Sequence, residues 1–193
     1  MAGIQRLRKL GLCFTLGLLA LVLADQFMGE FLALVWHVRH GKTARLQAYD
    51  GRKYAVEVPL LWLANADDNG WSVFMSKTGS MRHPFRRRSW STMSFSVSPM
   101  YNTAEELRRP RSPIQIKIGL KVTEIAAFTA AGQDVYCFDQ QFTRDRLASP
   151  GIATVNLECV PLSDKRFFSA SYSGSPEFVP EFYGVLKSVR RLE

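Results

Sequence analysis

Residues 10–24, LGLCFTLGLLALVLA, carry no charge and directly follow Arg6, Arg8 and Lys9. A cationic stretch ahead of an apolar run is the order of an export signal, so this segment is expected to be handed to a membrane or to the secretion machinery rather than to a globular core. The residues that would meet lipid are Leu10, Leu12, Phe14, Leu16, Leu18, Leu19, Leu21, Val22 and Leu23. Val22 and Ala24 are small enough for a signal-peptidase site, which predicts cleavage near Ala24 and a secreted or periplasmic product. The alternative is a retained single-pass anchor, with the N-terminus inside and the domain outside. A span needs roughly 20 residues, so the anchor must extend to about Met28 and place Asp25 and Gln26 near the far interface. A lipoprotein is excluded, because Cys13 lies inside the run and is preceded by Leu12 where a small residue is required.

Beyond the run, Phe27, Phe31, Leu34, Val35 and Val38 recur at helical spacing, which predicts an amphipathic continuation that Gly41 stops. Residues 1–41 are therefore read as a signal or anchor helix with an extension, and 42–193 as one globular domain. With 193 residues, 47% hydrophobic and 22% charged, the chain is long and apolar enough for one domain plus an appendage, and it is not a disordered chain. The net charge of +8 includes three cations of the leader; the remainder has 22 cations against 17 anions, too mild an excess to mark a nucleic-acid binder by itself.

From Lys42 the period shortens to that of strands. Ala44–Tyr49 and Arg52–Val58 flank Asp50-Gly51, a two-residue hairpin signal. Tyr54, Val56 and Val58 are expected on one face, and Pro59 to end the strand ahead of an apolar plug of Leu60, Leu61 and Trp62. Further strands are expected at Trp71–Ser76, Ser91–Val97, Ile114–Ile118, Val122–Phe128, Asp134–Phe138, Ala153–Cys159 and Phe167–Tyr172, with a turn at Ala131-Gly132. Thr103 and Glu106 stand at capping-box spacing and predict a short helix ended by Pro110. A closing helix is expected to begin at Ser175-Pro176 or Val179-Pro180. It carries the stripe Phe178, Phe182, Val185, Leu186, Val189 and Leu192, with Lys187, Arg190 and Arg191 in its last turn. The fold class is thus α+β, an antiparallel sheet flanked by helices and preceded by the hydrophobic helix.

The segment from Arg52 to Trp62, a strand such as Ser72–Phe74, and the closing Phe182–Arg190 together resemble the frame of the PsbP-like proteins, small exported or membrane-anchored domains. The resemblance spans roughly 44–192 and implies an antiparallel sheet between helices with an accessory or binding role. It carries across no catalytic residue.

Cys137 and Cys159 fall on two expected strands. In an oxidising compartment they would form a disulfide; otherwise they pack as two buried thiols, and the sequence does not choose because it gives no separation in space. His37 and His40 share a helix face but lack further ligands at a recognisable spacing, so no metal site is assigned. Arg82, Arg86, Arg87 and Arg88, with Phe85 and Trp90 interleaved, form a loop suited to anionic lipid headgroups or another polyanion; a solvated loop paired to surface carboxylates is the bland reading. Arg108–Arg111 is a second basic cluster. No nucleophile elbow, phosphate loop, zinc signature or dinucleotide fingerprint occurs, so no catalytic residue and no cofactor are assigned.

The function expected is that of an extracytoplasmic accessory or ligand-binding domain without catalytic activity. Its expected partners are the lipid bilayer, through the N-terminal helix, and another membrane or envelope protein; nucleic acid is disfavoured. The rivals are an enzyme whose site the motifs do not reveal, and a polyanion or anionic-lipid binder using the 82–88 loop.

Overall fold

A computed structural model describes residues 2–66, 68–78, 90–97, 102–109, 119–142, 154–164 and 168–192. The chain begins with one helix, α1 (Ala2–His40). Gly41 ends it as expected, with φ +74° and its N–H donating to the His37 carbonyl at 2.9 Å.

The expected membrane span is corrected: among the described residues, no helix is long and apolar enough to cross a membrane. The uncharged run at 10–24 covers only about 22 Å of helix axis, short of a hydrocarbon core of about 30 Å, and Asp25 and Glu30 follow it. Phe14, Leu16, Leu18, Leu19 and Leu21 are exposed. The side chains of Leu10, Leu12, Val22 and Leu23 lie outside the described residues. The expected amphipathic stripe does not supply the packed face either. Phe31, Leu34 and Val35 are exposed and Val38 is 88% exposed, whereas Ala33 is fully buried and Trp36 packs against the core. The small Ala33 lets the helix approach β3 (Leu63–Ala66) and β4 (Ser72–Thr78), and the bulk of Trp36 selects the face that turns inward. His37 fastens the joint: Nε2 lies 3.0 Å from the Pro59 carbonyl and Nδ1 3.3 Å from that of Gly41. A neutral imidazole has one N–H and donates to only one of them at a time.

β1 (Thr43–Gln47) and β2 (Lys53–Glu57) pair antiparallel, with Thr43 opposite Glu57 and Gln47 opposite Lys53. Their turn is not the two-residue form expected at Asp50-Gly51. Only Gly51 has positive φ, and Gly51 N–H donates to Ala48 while Ala48 N–H donates to Arg52, which makes a three-residue loop with glycine in the left-handed position. Tyr54, Val56 and Val58 are buried as expected. The expected plug is one residue deep: Leu60 is 62% exposed, Leu61 turns the chain at φ +68°, and Trp62 alone enters the core. Trp62 Nε1 donates to Glu181 at 2.5 Å, and Lys77 Nζ donates to the same carboxylate at 3.3 Å while lying over the Phe178 ring.

The main sheet has seven strands in the order β3-β4-β5-β9-β8-β7-β6, all neighbours antiparallel, where β5 is Trp90–Ser96, β6 Leu120–Ala130, β7 Gln133–Phe142, β8 Val155–Pro161 and β9 Ser169–Gly174. The Ala131-Gly132 turn has both residues at positive φ, as a tight two-residue hairpin requires. The strand expected at Ile114–Ile118 lies outside the described residues. α2 (Ala104–Arg108) has the expected capping box: Thr103 Oγ1 accepts from Glu106 N–H and Glu106 accepts from Thr103 N–H.

After a short 3-10 turn at Pro176–Phe178 comes α3 (Val179–Ser188). It ends earlier than expected, because Arg190–Leu192 forms β10, which pairs with β2 and completes a three-stranded sheet. Arg190 and Arg191 therefore lie on a strand, and only Lys187 remains in the last helical turn. Phe182, Val185 and Leu186 of α3 are buried on one face of the main sheet, where Phe182 lies 5.9 Å from Phe95 and 5.5 Å from Tyr172 between ring centres. The described residues thus form an α+β fold.

β9 ends at Gly174, whose absent Cβ would stand 2.6 Å from the backbone of Ser91, and whose φ of +153° disfavours a side chain. Ser91 is fully buried there, and its Oγ accepts from Ser175 N–H at 3.1 Å. Gly174→Ala is expected to destabilise the fold by about 2 kcal/mol or more through overpacking and backbone strain, read as a lower urea midpoint with an unchanged slope. A neutral result would show that β5 and β9 can separate without loss.

Candidate functional site

Successive residues of a strand face opposite sides of the sheet. In β5, Met93 and Phe95 point toward α3, so Thr92, Ser94 and Ser96 point away; in β9, Ala170 and Tyr172 point toward α3, so Ser169, Ser171 and Ser173 point away. Antiparallel pairing places Ser94 opposite Ser171 and Thr92 opposite Ser173. On the next strand, β8, Asn156 lies opposite Ser173 and Glu158 opposite Ser171. The outer face therefore carries a hydroxyl patch two strands wide, flanked by Asn156 and Glu158 on one side and by Phe74 of β4, opposite Ser94, on the other. These residues, with Gln140 of β7, line a cleft of about 310 Å³.

The patch is partly organised by its own hydrogen bonds. Ser173 Oγ donates to Asn156 Oδ1 at 2.7 Å, Thr92 Oγ1 to the Ser173 carbonyl at 3.4 Å, and Ser96 Oγ to the Trp71 carbonyl at 3.3 Å. Ser94 and Ser171, at its centre, have no hydroxyl partner among the described residues. Glu158 is half-buried and accepts from Gln140 Nε2 and, at 3.4 Å, from Asn102 Nδ2. Burial holds its carboxyl above the usual carboxylate range, and the two amide donors pull it part of the way back. Phe74 is 49% exposed, its ring open to the cleft side of the sheet.

The wall beyond Glu158 is built by α2. Ala104 packs with Phe138 and Val160, and Leu107, Val122 and Tyr136 surround them. Arg108 clamps Glu124 with two hydrogen bonds, 2.8 and 3.0 Å, and lies over the Tyr136 ring. This arrangement needs Val122 and Glu124 on the outer face, whereas Ala126 and Phe128, later in the same strand, pack with the inner core. A bulge makes both possible: Glu124 pairs with Phe138 and Ala126 with Cys137, leaving Ile125 without an opposite residue.

The sequence-derived candidates are placed as follows. Cys137 and Cys159 lie directly opposite each other on β7 and β8, Cα atoms 4.0 Å apart, and form a disulfide fully buried on the inner face. His37 is used in the α1 joint, and His40 stacks on Trp36. Of the basic clusters, Arg108 is paired with Glu124, while Arg82, Arg86, Arg87 and Arg88 lie outside the described residues; Trp90 opens β5, and its side chain is likewise outside them. Sequence reasoning missed the hydroxyl cleft and Glu158. Its signal was there, as hydroxyl residues at every second position of both 92–96 and 169–173, but only the pairing of two strands separated by some 75 residues turns two alternations into one surface.

No protein-family model matches the chain, and a search of curated proteins finds no match.

Because Glu158 has a raised carboxyl value when folded, it adds stability below the unfolded carboxylate range, and that contribution is lost as pH rises through the folded value. Glu158→Gln is therefore expected to raise the urea midpoint at pH 7 and to leave it nearly unchanged at pH 3.5. A gain confined to pH 3.5 would contradict the burial of this carboxylate.

Proposed function

We propose that the chain is an exported, non-catalytic accessory domain that binds a small ligand in the hydroxyl cleft and works in an oxidising compartment after cleavage near Ala24. The observation that carries the binding reading is the outer face of the main sheet, where hydroxyls of two strands and one half-buried carboxylate converge on a concave surface. Carboxylates held where burial penalises their charge are enriched at functional sites.

Two features support export. A disulfide is characteristic of oxidising compartments. In addition, Trp36, which packs against the core, and His37, which bonds the Pro59 carbonyl, both lie downstream of Ala24, so cleavage there leaves these two contacts in place. The likeness to the PsbP-like proteins favours the same accessory class and supplies no site residue.

Mass spectrometry of the native protein, with thiols trapped by acid and alkylation, tests the compartment. A chain starting near Asp25 with Cys137 and Cys159 unalkylated is expected; an intact leader with both thiols alkylated would overturn export. The disulfide closes a loop with a sequence separation of 22. Replacing both cysteines by Ala is expected to lower the unfolding free energy by about 3 kcal/mol, measured by urea denaturation under non-reducing conditions.

A further inference from the structure

The chemistry of the cleft narrows what it can hold. Phe74, Ser94, Ser171 and Glu158 are successive cross-strand partners on β4, β5, β9 and β8, so they form one straight row over the outer face. With neighbouring strands about 4.8 Å apart, the row is about 14 Å long. Its ends differ: an exposed aromatic ring at one, and at the other a carboxylate oriented by Gln140 and Asn102. Between them stand two hydroxyls with no partner among the described residues, each able to donate and to accept.

Each feature excludes a ligand class. Among the described residues no lysine or arginine lines the cleft, and the one charged group is negative, so phosphate, nucleic acid and fatty-acid headgroups find no counter-charge there and meet repulsion. Apart from Phe74, the described side chains that the strands aim into the cleft are polar, so a lipid chain would strand hydroxyls without partners. A polycation would find a single carboxylate over the length of the row. A neutral ligand with many hydroxyls satisfies every group: its O–H groups donate to Glu158 and exchange donor and acceptor roles with the serines, while an aliphatic ring face lies on Phe74.

On the reading that this cleft is a binding site, we infer that its ligand is a short neutral oligosaccharide of two or three pyranose rings, laid across the strands with one ring on Phe74 and the hydroxyls of another on Glu158. The row requires this direction. A ligand lying along a single strand meets either the ring or the carboxylate but not both.

The test is amide NMR of the disulfide-intact protein titrated with maltotriose, cellotriose, mannotriose and tri-N-acetylchitotriose, and separately with spermidine and with inorganic phosphate. At least one trisaccharide is expected to shift the amides of Ser94, Ser171 and Glu158 in a saturable way. Phe74→Ala and Glu158→Gln, each at an end of the row, are each expected to weaken that binding at least tenfold. Phe74 is half exposed, so its loss leaves the core intact, and an unchanged amide spectrum away from the row verifies this. If no trisaccharide shifts these amides, the inference is overturned. Spermidine or phosphate shifting them instead would leave a binding site of another chemistry. Silence of all six probes at the row would count against the binding reading as well. Binding that survives both substitutions unchanged would place the sugar elsewhere and sink the inference alone.

Discussion

Phe182 has no exposed surface, and it meets both Phe95 and Tyr172 on one face of the main sheet. That contact decides the character of the molecule's other side. Strand geometry allows a residue only one face, so seating Phe95 and Tyr172 under α3 directs Ser94, Ser96, Ser171 and Ser173 outward together. A slip of one residue between β5 and β9 would bury hydroxyls beneath the helix and expose aromatics. Gly174 and Ser91 guard against it, since at their close approach a larger residue has no room.

The same economy appears at the far edge of the sheet. β6 contributes Val122 and Glu124 to the layer beneath α2 and then Ala126 and Phe128 to the layer beneath α3. The extra residue at Ile125 re-aims the strand midway, so one edge strand supports both the core and the wall of the cleft. Arg108 bridging to Glu124 ties α2 to the first half, and Lys187 over the Phe128 ring ties α3 to the second. The small sheet is closed in a comparable way, by β10 returning from α3 to lie beside β2.

What could be read from the residues in order was local. The Thr103–Glu106 capping box, the Ala131-Gly132 turn and the stop at Gly41 each depend on a handful of neighbours, and each is found where expected. Missed features depend on partners remote in sequence. β3 is four residues with only Ala64 buried, and β10 is three residues without a buried side chain, too short to show alternation. The face of α1 that packs was misjudged because the stripe of large apolar residues is stronger than the signal of Ala33 and Trp36, which wins only when a sheet is present to approach. Glu158 looked like an ordinary polar position of a half-buried strand, and no local rule says that its neighbours would be serines from two other segments.

The cover for the inner face, Phe178 through Val189, follows every strand of the main sheet in the sequence. Until α3 is made, therefore, Phe95 and Tyr172 lack Phe182 as a partner, and β2 lacks its second neighbour until Leu192 emerges from the ribosome. Such a nascent polypeptide is barred from closing its interior early by its own topology.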